Sequence, residues 1–409
     1  MNNSGGMREK PVLILGVEPR ITVPVARSLH RLGVPVAVAS VSPHDPTLHS
    51  QAIFRFLRLP NYEEPSSGFV TALSAFIREH GFDMLIPTTD GALSAISQHY
   101  DSLSPLLHLG CPPAPIIDRV LNKEATLAIA TQCGLRIPRE YVVSAQANLG
   151  DIPELAFPVV AKPRQKSSAE TFKVRYFHSE RELGESLKSG ALDGAILQEY
   201  CVGDGVGVEV LVHQGTCIAA FQHRRLKEVP HTGGAAAMAV AESVDPQLKS
   251  MALSLLRGLD WEGVAMVEFR HDRATGTASL MEVNGRYWGT VALALMAGVD
   301  FPAYEWQIAH GKTPVVPATY DVGLQWRWSA GMLKRAHGMM RSSKSALPTP
   351  HSDGSGSRPT RDALWSASDP LPGIFEVLRT SKNLAAQDGK SVLKKLLPRR
   401  AAKRLRGQH

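Results

Sequence analysis

Hydrophobic residues in the first 90 positions form short continuous runs that alternate with stretches of helical periodicity. The predicted elements are a strand at 11–16, a helix at 21–33, a strand at 34–40, a helix at 69–81 and a strand at 82–88. Such alternation is typical of a doubly wound parallel sheet. The turn after the first strand lacks the G-x-G-x-x-G spacing of dinucleotide-binding folds. Asp90 follows the last of these strands, where it either faces a cleft or caps a turn or helix.

The pattern in the middle of the chain predicts more strands and fewer helices. The predicted elements are a helix at 122–134, a strand at 157–164, a strand at 172–179, a helix at 180–190, three strands with a glycine-rich kink within 195–225 and a helix at 245–259. Asn122 is expected to be the N-cap of the first helix and Gly134 its C-cap. No internal repeat is evident.

Two acidic residues and an amide stand out in the segment 264–286. Glu268 lies in VAMVEFR, and Glu282 and Asn284 lie in SLMEVNGR. Apolar β-formers flank each acid with period two, which predicts two strands, and the polar stretch between them suits a hairpin loop. Alternation places Val264 and Met266 on the face of Glu268, and Leu280 and Asn284 on the face of Glu282.

If the hairpin loop centres near Thr275, Glu268 lies directly opposite Glu282. Cross-strand neighbours are about 5 Å apart, and like charges at that distance repel each other. A divalent cation between the carboxylates converts this repulsion into ligation, and Mg²⁺ prefers such hard oxygen ligands. The alternative is a pair of solvated acids on an edge hairpin, and the hairpin alone does not decide between the two interpretations.

Length and composition limit the possible protein class and number of domains. The chain has 409 residues, of which 44% are hydrophobic and 20% charged, which is typical of a globular protein with two or three domains. We find no apolar run long enough for a membrane-spanning helix and no signal-peptide pattern at the N-terminus. The four cysteines lack metal-site spacing and are expected to be reduced thiols in a cytoplasmic protein.

Positive charge is concentrated at the C-terminal end. Residues 331–409 contain 16 Lys and Arg against 5 Asp and Glu, which leaves 29 basic and 33 acidic residues in the remainder. The slightly acidic remainder argues against a core that binds nucleic acid. Residues 341–362 are rich in Ser, Pro and Gly and predict a flexible linker. The basic tail after it is expected to be solvated, or to form a short amphipathic helix up to Pro398 that contacts an anionic surface.

The order of the polar motifs carries more information than any single motif. It runs through Lys123, Lys162, a serine-containing loop at 164–171, Gln198-Glu199-Tyr200, Glu268, Glu282, Asn284 and Arg286. This order resembles the ATP-grasp superfamily, in particular its carboxylate–amine ligase and carbamoyl-phosphate-synthase-like branches, over residues 11–320. The resemblance implies ATP as cofactor, with Mg²⁺ or alternatively Mn²⁺.

The same resemblance implies a fold class and a domain division. The fold expected is α/β, with an N-terminal doubly wound parallel-sheet domain at 8–118. A two-lobed ATP-grasp domain of α+β type with antiparallel sheets follows at 119–320, with a small lid lobe at 138–200. Residues 321–409 are expected to be a C-terminal extension.

Roles for the ATP-binding residues follow from the matched positions. Lys162 matches the strand lysine that contacts phosphate oxygens and the adenine side, and Lys123 matches the lysine over the α-phosphate. Glu268, Glu282 and Asn284 match the metal ligands that bridge the β- and γ-phosphates. The remaining ATP-binding candidates are Gln198, Glu199, Tyr200 and Val202 around adenine, Asp204 at the ribose, and Ser167 and Ser168 in the phosphate loop. A turn role for Asp204 is an equal alternative.

Catalysis and substrate binding are assigned to a smaller set. Arg286 matches the arginine that stabilises an acyl-phosphate, since a guanidinium holds two anionic oxygens in a fixed fork. Many relatives have proline at the position of Gly285, and the loop at 164–171 lacks the glycines common in the family. The substrate candidates are Arg224, Arg225, His231 and Trp288. Only one of the two arginines faces the cleft if the strand is regular, and the sequence leaves that choice open.

The resulting hypothesis is an ATP-dependent ligase that activates a carboxylate as an acyl-phosphate and joins it to an amine. Its partners are the two small-molecule substrates, and a homodimer is compatible with the sequence. Two alternatives remain: phosphorylation of another acceptor such as bicarbonate, and a nucleotide-binding protein without turnover.

Overall fold

The structure is a computed structural model of the whole chain. It describes residues 9–41, 45, 48–62, 64, 68–144, 147–152, 156–163, 174–230, 233–341 and 360–396. Three of the predicted site residues, Ser167, Ser168 and His231, lie outside the described residues, as do most of the predicted linker and the end of the basic tail.

A five-stranded parallel sheet forms the N-terminal part, in the order β3-β2-β1-β4-β5. Its strands are β1 Val12–Leu15, β2 Val36–Ser40, β3 Arg55–Arg58, β4 Met84–Pro87 and β5 His108–Leu109. The helices around it are α1 Pro19–Arg31, α2 Phe69–His80, α3 Asp90–Gln98, α4 Tyr100–Leu103 and α5 Ala114–Leu121. The strands β1, β2 and β4 are buried along their whole length, which explains their continuous apolar runs. The predicted parallel sheet is confirmed.

A four-stranded antiparallel sheet follows, in the order β6-β9-β7-β8. Its strands are β6 Glu140–Val142, β7 Val159–Pro163, β8 Arg175–Phe177 and β9 Ala195–Glu199. Helix α6 (Lys123–Gln132) precedes the sheet, and α7 (Glu180–Lys188) packs against it with a short 3-10 turn, Leu149–Asp151. The side chain of Asn122 accepts a hydrogen bond from Ala125 N, so its predicted N-cap role is confirmed.

A seven-stranded sheet forms the third layer, in the order β14-β13-β10-β11-β12-β15-β16. Its strands are β10 Asp204–His213, β11 Thr216–Val229, β12 Ala235–Glu242, β13 Gly263–Asp272, β14 Thr277–Asn284, β15 Gln325–Arg327 and β16 Thr360–Asp362. The accompanying helices are α8 Pro246–Gly258, α9 Val291–Ala297, α10 Phe301–Ala309, α11 Ser329–Arg341 and α12 Leu371–Leu396. All pairings are antiparallel except that of β15 with β16.

The acidic hairpin has the predicted register at its centre. Glu268 of β13 lies opposite Glu282 of β14, and Met266 lies opposite Asn284. The prediction that Leu280 shares a face with Glu282 is wrong, because Leu280 pairs with Phe269 across a bulge that inserts Met281. The extra residue reverses the alternation, so Leu280 packs in the core on the far side of the sheet.

Segments near the C-terminal end also correct the sequence interpretation. The predicted short helix is part of the 26-residue helix α12, which begins at Leu371 and packs against α11 and α1. Asp369, just before it, accepts hydrogen bonds from Arg27 of α1 and from Ser50 in the loop before β3, so this segment is anchored to the N-terminal part of the chain. Strand β16 lies within the range predicted as linker. Among the described residues, no helix is both long and apolar enough to cross a membrane.

Candidate active site

A cavity of about 640 Å³ lies where the three sheets meet. The predicted site residues that line it are Lys162, Gln198, Glu199, Tyr200, Arg225, Glu268, Glu282, Asn284, Arg286 and Trp288. Lys123, Val202, Asp204 and Arg224 are described but are not among the lining residues. The structure therefore gathers residues from β7, β9, β11, β13 and β14 around one space, although Lys162 and Asn284 are 122 positions apart in the sequence.

The acidic pair belongs to a row of residues that crosses the seven-stranded sheet. Reading from β14 to β11, the row contains Glu282, Glu268, Gly207 and His223. Asn284 lies two residues beyond Glu282 and also lines the cavity. Two carboxylates and an amide oxygen are hard donors of the kind Mg²⁺ prefers.

The protein supplies only part of a metal coordination shell. In the described part of the chain, no group of three or more His, Cys, Asp or Glu side chains is arranged to hold a metal ion. Mg²⁺ commonly binds one or two carboxylates and takes its remaining ligands from water and substrate phosphates. The donor set of Glu268, Glu282 and Asn284 therefore fits a metal that is bound together with a phosphate-bearing ligand.

Two glycines of β10 leave the middle of the sheet bare. A Cβ on Gly207 would lie 2.4 Å from His223 Cε1, and a Cβ on Gly205 would lie 2.9 Å from Arg225 Cδ. Side chains of β11 therefore lean across β10 toward β13. The predicted glycine-rich kink lies at Gly203, between β9 and β10, where φ is +121°. Gly205 and Gly207 do not belong to it, because they lie inside the continuous strand β10.

Arg225, and not Arg224, is the arginine that faces the cavity. Its Nη2 lies 2.5 Å from Glu268 Oε2, and its Nη1 donates to the carbonyl oxygen of Gly234 at 2.9 Å. Arg224 points to the other face of β11, where its Nε lies 2.7 Å from Glu242 Oε1. Burial alone would lower the pKa of Arg225, but Glu268 and Glu228 hold it above its usual value.

Further charged residues extend this network, and the sequence analysis did not identify them. Glu228 accepts hydrogen bonds from Arg270 Nη2 with both carboxylate oxygens, each at 3.0 Å. The same carboxylate lies 3.6 Å from Arg225 Nη1. Acid and base thus alternate from Glu268 through Arg225 and Glu228 to Arg270, which also lines the cavity.

Both predicted lysines converge on one acid, Glu140. Lys123 Nζ lies 2.6 Å and Lys162 Nζ 3.2 Å from Glu140 Oε1, and Gln198 donates to the same oxygen. Glu140 lies opposite Gln198 in the four-stranded sheet, and Lys162 is on the neighbouring strand. Burial and the nearby Lys123 lower the pKa of Lys162 to about 8, and Glu140 opposes this shift. Sequence reasoning missed Glu140, although the β-forming residues that follow it, Tyr141, Val142 and Val143, indicate a strand.

The segment after β9 forms one end of the cavity. Glu199 is held by Arg136 Nη2 at 2.6 Å and by the backbone N–H of Arg139 at 3.1 Å. Tyr200 makes an edge contact with Tyr176, with the ring centroids 6.3 Å apart.

Two residues predicted to follow this hinge lie outside the cavity lining. Val202 is 65% exposed. Asp204 lies 3.8 Å from Arg224 and 3.6 Å from Arg273, and burial raises its pKa. Asp204 is the first residue of β10 and not a turn residue, and its charged neighbours are these two arginines.

Arg286 is held in place by Asp90. Its Nε and Nη2 donate to the two oxygens of Asp90 at 2.6 and 3.0 Å, and its Nη1 donates to the carbonyl oxygen of Tyr287 at 2.9 Å. Asp90 is the first residue of α3, and the helix cap itself is Thr89, which accepts from Ala92 N. Asp90 therefore faces the cleft, which was one of the two roles expected for it. Burial would lower the pKa of Arg286, but Asp90 raises it overall.

The wall near Arg286 is partly aromatic. Trp288 has no exposed surface and packs edge-on against Phe301 at 5.2 Å, so it lines the cavity and belongs to the core. Glu18 and Arg20, from the start of α1, complete this wall, with Arg20 Nε 3.0 Å from Glu18 Oε1. The sequence analysis missed both, although they follow the first predicted strand.

A buried acid–imidazole pair, His223 and Glu209, lies at the β11 end of the row that contains the two acids. His223 Nδ1 and Glu209 Oε1 are 2.5 Å apart, and both side chains are almost fully buried. Burial lowers the pKa of His223 to about 3 and raises that of Glu209 well above its usual value. The imidazole is therefore neutral at physiological pH.

Comparison with known families and structures identifies the fold. A family model described as ATP-grasp in the biosynthetic pathway with Ter operon matches residues 192–331, a segment that contains Glu268, Glu282, Asn284 and Arg286. No curated protein sequence matches the chain.

Three solved structures illustrate the structural similarity. The L-amino acid ligase from Bacillus licheniformis has a TM-score of 0.57 and 20% identity, over 74% of this chain and 75% of that chain. An ADP complex of N5-carboxyaminoimidazole ribonucleotide synthetase has a TM-score of 0.59 and 16% identity, over 77% of this chain and 80% of that chain. The biotin carboxylase domain dimer of Hydrogenobacter thermophilus 2-oxoglutarate carboxylase, in complex with MgADP, ADP and bicarbonate, has a TM-score of 0.57 and 14% identity, over 77% and 73%. At these identities the similarity is one of fold.

Proposed function

We propose that the chain is an ATP-dependent ligase joining a carboxylate to an amine, because an ATP-grasp family model matches residues 192–331 and the fold is similar to that of an L-amino acid ligase. A carboxylate oxygen attacks the γ-phosphorus of ATP, and the bond from that phosphorus to the ADP oxygen breaks. The acyl-phosphate then loses phosphate when the amine nitrogen attacks its carbonyl carbon, and a proton leaves the nitrogen. The observation that carries the proposal is the convergence of Lys162, Glu268, Glu282, Asn284 and Arg286 on one cavity.

ATP is proposed to bind between the four-stranded and the seven-stranded sheets. Gln198, Glu199 and Tyr200 line the part of the cavity at which adenine would lie. Lys162 supplies positive charge for the phosphates. Phosphoryl transfer depends mainly on positioning and on neutralising charge, and this is the role of Lys162 and Arg286.

Mg²⁺ would be held by Glu268, Glu282 and Asn284. When bound, such an ion neutralises charge on the transferred phosphoryl group and aligns the entering and leaving oxygens. Glu268 and Glu282 are the two carboxylates best placed for this, because they oppose each other on neighbouring strands and line the cavity.

Arg286 is proposed to stabilise the acyl-phosphate and the tetrahedral species that follows. Its guanidinium is always charged and presents a rigid fork to anionic oxygens. Asp90 fixes the plane of that fork, so the arginine is oriented before the substrate arrives. Arg225 is the proposed contact to substrate, since it lines the cavity. Trp288 has no exposed surface and is proposed to support the wall of the cavity from the core.

The structural neighbours favour a specific second candidate. One of them is a biotin carboxylase domain in complex with bicarbonate, a small acid that carries no side chain. In that alternative, bicarbonate takes the place of the organic carboxylate and the same residues transfer the phosphoryl group. A nucleotide-binding protein without turnover is less supported, because binding alone does not require the forked arginine.

The experiment is a screen of carboxylates, bicarbonate and amines for stimulated ADP release, with mass detection of the products. A ligase yields ADP and a condensation product only when a carboxylate and an amine are both present. Stimulation by bicarbonate alone would favour the second candidate. Tight nucleotide binding without product for any combination would favour the non-catalytic alternative.

Two variants connect the screen to the site. Glu282→Ala should abolish ADP release and leave the fold intact, because it removes a proposed metal ligand. Glu185→Ala is the matched control, since Glu185 is an exposed acid on α7 outside the cavity lining. Retained turnover in Glu282→Ala would contradict the metal role.

A further inference from the structure

Arg225 lies on the carboxylate that the proposed function assigns to a metal. Its Nη2 is 2.5 Å from Glu268 Oε2, and the two side chains are only 13% and 15% exposed. A strong charge-assisted contact of this kind uses a lone pair that a metal would otherwise take. Glu268 therefore has a cationic partner from within the chain.

Besides Glu268, the guanidinium of Arg225 contacts a backbone carbonyl and lies 3.6 Å from the carboxylate of Glu228. Nη1 donates to the carbonyl oxygen of Gly234 at 2.9 Å, and the buried Nε has no hydrogen-bond partner. Beneath the side chain, Gly205 presents no Cβ, and any Cβ there would come within 2.9 Å of Arg225 Cδ. The missing Cβ of Gly205 leaves room for the arginine side chain across β10, and Glu228 is a second carboxylate within reach of the guanidinium.

The charge balance explains why a cation is needed at this point. Glu268 and Glu282 are cross-strand neighbours, and two carboxylates so placed repel each other. Arg225 offsets this repulsion as a metal ion would. The opposed acids can therefore be stable in the folded protein without a bound metal.

We propose that Arg225 is the resident counter-cation of Glu268 and competes with a divalent metal for its carboxylate. The metal binds Glu268 only when the guanidinium leaves, and the arginine then faces an anionic oxygen group in the same cavity. Metal affinity in the absence of nucleotide is consequently weaker than the donor set alone would give. This inference rests on the proposed function, because it takes Glu268 and Glu282 as the metal ligands.

The test is Mn²⁺ binding to the full chain without nucleotide, measured by electron paramagnetic resonance of the free ion. Arg225→Met removes the competitor, and we expect Mn²⁺ to bind about tenfold more tightly, which corresponds to about 1.4 kcal/mol. Arg225→Lys keeps the charge but has a single nitrogen that cannot contact both Gly234 and Glu268. We expect it to give a smaller gain, of about threefold.

Arg224→Met is the matched control. It removes the same charge one residue away, but Arg224 points to the opposite face of β11 and pairs with Glu242. Its Mn²⁺ affinity should stay within twofold of the wild type. An equal gain in Arg224→Met would show that net charge alone is responsible and would overturn the proposal.

The other possible results with the Arg225 and Glu282 variants also support or overturn the proposal. Unchanged or weaker Mn²⁺ binding in both Arg225 variants overturns the proposal, and Arg225→Lys decides alone if Arg225→Met does not fold. Glu282→Ala separates this inference from the proposed function. If Mn²⁺ binding needs Glu282 but is indifferent to Arg225, only the competition is wrong. If Mn²⁺ binding is indifferent to Glu282, the metal site itself is wrong, and both proposals fail.

Discussion

Arg286 and Asp90 form a two-point ion pair that connects the seven-stranded sheet to the N-terminal parallel sheet. Nε and Nη2 of the arginine donate to the two carboxylate oxygens at 2.6 and 3.0 Å. The arginine follows the acidic hairpin, and the aspartate follows β4, so the pair fixes the proposed catalytic fork relative to both layers. This arrangement makes Asp90 a positioning residue for Arg286.

Asp90→Asn should lower kcat by about 10- to 100-fold with a smaller change in KM for ATP, because a misplaced guanidinium loses contacts made in the transition state. Arg286→Lys should be more severe, since lysine cannot reproduce the fork. Steady-state kinetics with the substrates found in the screen provides the measurement. Asp101→Asn, an exposed aspartate on α4, is the control. An Asp90→Asn enzyme with unchanged kcat would show that Arg286 needs no such support.

The lowered pKa of Lys162 is expected to make nucleotide affinity depend on pH. Burial and Lys123 lower its pKa to about 8, so the free protein loses the ammonium charge as the pH rises through that value. The nucleotide Kd should therefore increase above about pH 8, by up to about tenfold per pH unit. Lys162→Arg should remove this dependence, because arginine stays protonated. Isothermal titration with ADP between pH 6.5 and 9.5 measures both proteins.

Glu140 should act on the same titration. Its carboxylate raises the pKa of Lys162, so Glu140→Gln should move the onset of weaker binding to lower pH. A shift to higher pH, or no shift, would mean that Lys162 does not control nucleotide binding.

A larger residue in place of Gly207 is expected to destabilise the fold through a steric clash. Gly207→Ala would place a methyl group 2.4 Å from His223 Cε1 and 2.8 Å from His223 Nδ1, and the imidazole is buried and cannot easily move. We expect the free energy of unfolding to fall by about 1–3 kcal/mol. Urea unfolding measures the change. Gly184→Ala in α7 meets only a methyl carbon of Leu149 at 4.0 Å, and it should instead raise stability by about 0.5–1 kcal/mol.

The burial of Glu305 is expected to make the stability of the folded protein depend on pH. It is buried in α10 with one hydrogen bond from Tyr287 Oη at 2.7 Å, and burial raises its pKa to about 7. The folded protein therefore binds this proton more tightly than the unfolded chain does. The associated stability is fully present below about pH 4.5 and is lost as the pH rises through about 7.

Glu305→Gln keeps the shape without the charge. Relative to this variant, the wild type should lose about 3 kcal/mol of unfolding free energy between pH 4.5 and pH 8. Urea titrations of both proteins at a series of pH values measure the difference. A constant difference across this range would show that Glu305 does not titrate as its burial requires.

The acidic hairpin shows what local pattern can predict. Period-two alternation and the length of the polar loop are local properties, and they were sufficient to place Glu268 opposite Glu282. The bulge at Met281 was not predictable. The apolar residues of this strand fit a regular pairing and a pairing with one inserted residue equally well. Leu280 was assigned to the wrong face for this reason.

The partners of the predicted residues come from distant segments. Lys162 was expected from its strand, but its contact with Glu140 depends on how β6 and β9 pair. The choice between Arg224 and Arg225 likewise depends on which face of β11 is turned toward the cavity, and alternation alone gives only the two options. The length of helix α12 was underestimated, because the helix packs against α1 and α11, and α1 is far away in the sequence.

Several expectations stay predictions. They include the domain division at 8–118, 119–320 and 321–409, the cytoplasmic location, the roles of Ser167, Ser168 and His231, and a contact of the basic tail with an anionic surface. The dimer named among the structural neighbours belongs to that protein, and a homodimer of this chain is likewise a prediction.

The central claim is that Glu268, Glu282 and Asn284 hold a divalent metal beside a nucleotide. Crystals grown with Mn²⁺ and ADP, with an anomalous difference map recorded near the manganese edge, test it directly. We expect a peak within bonding distance of these side-chain oxygens, with the ADP phosphates next to it and Arg225 moved away from Glu268. An anomalous peak elsewhere, or ADP bound at another surface while Arg225 keeps its contact with Glu268, would contradict it.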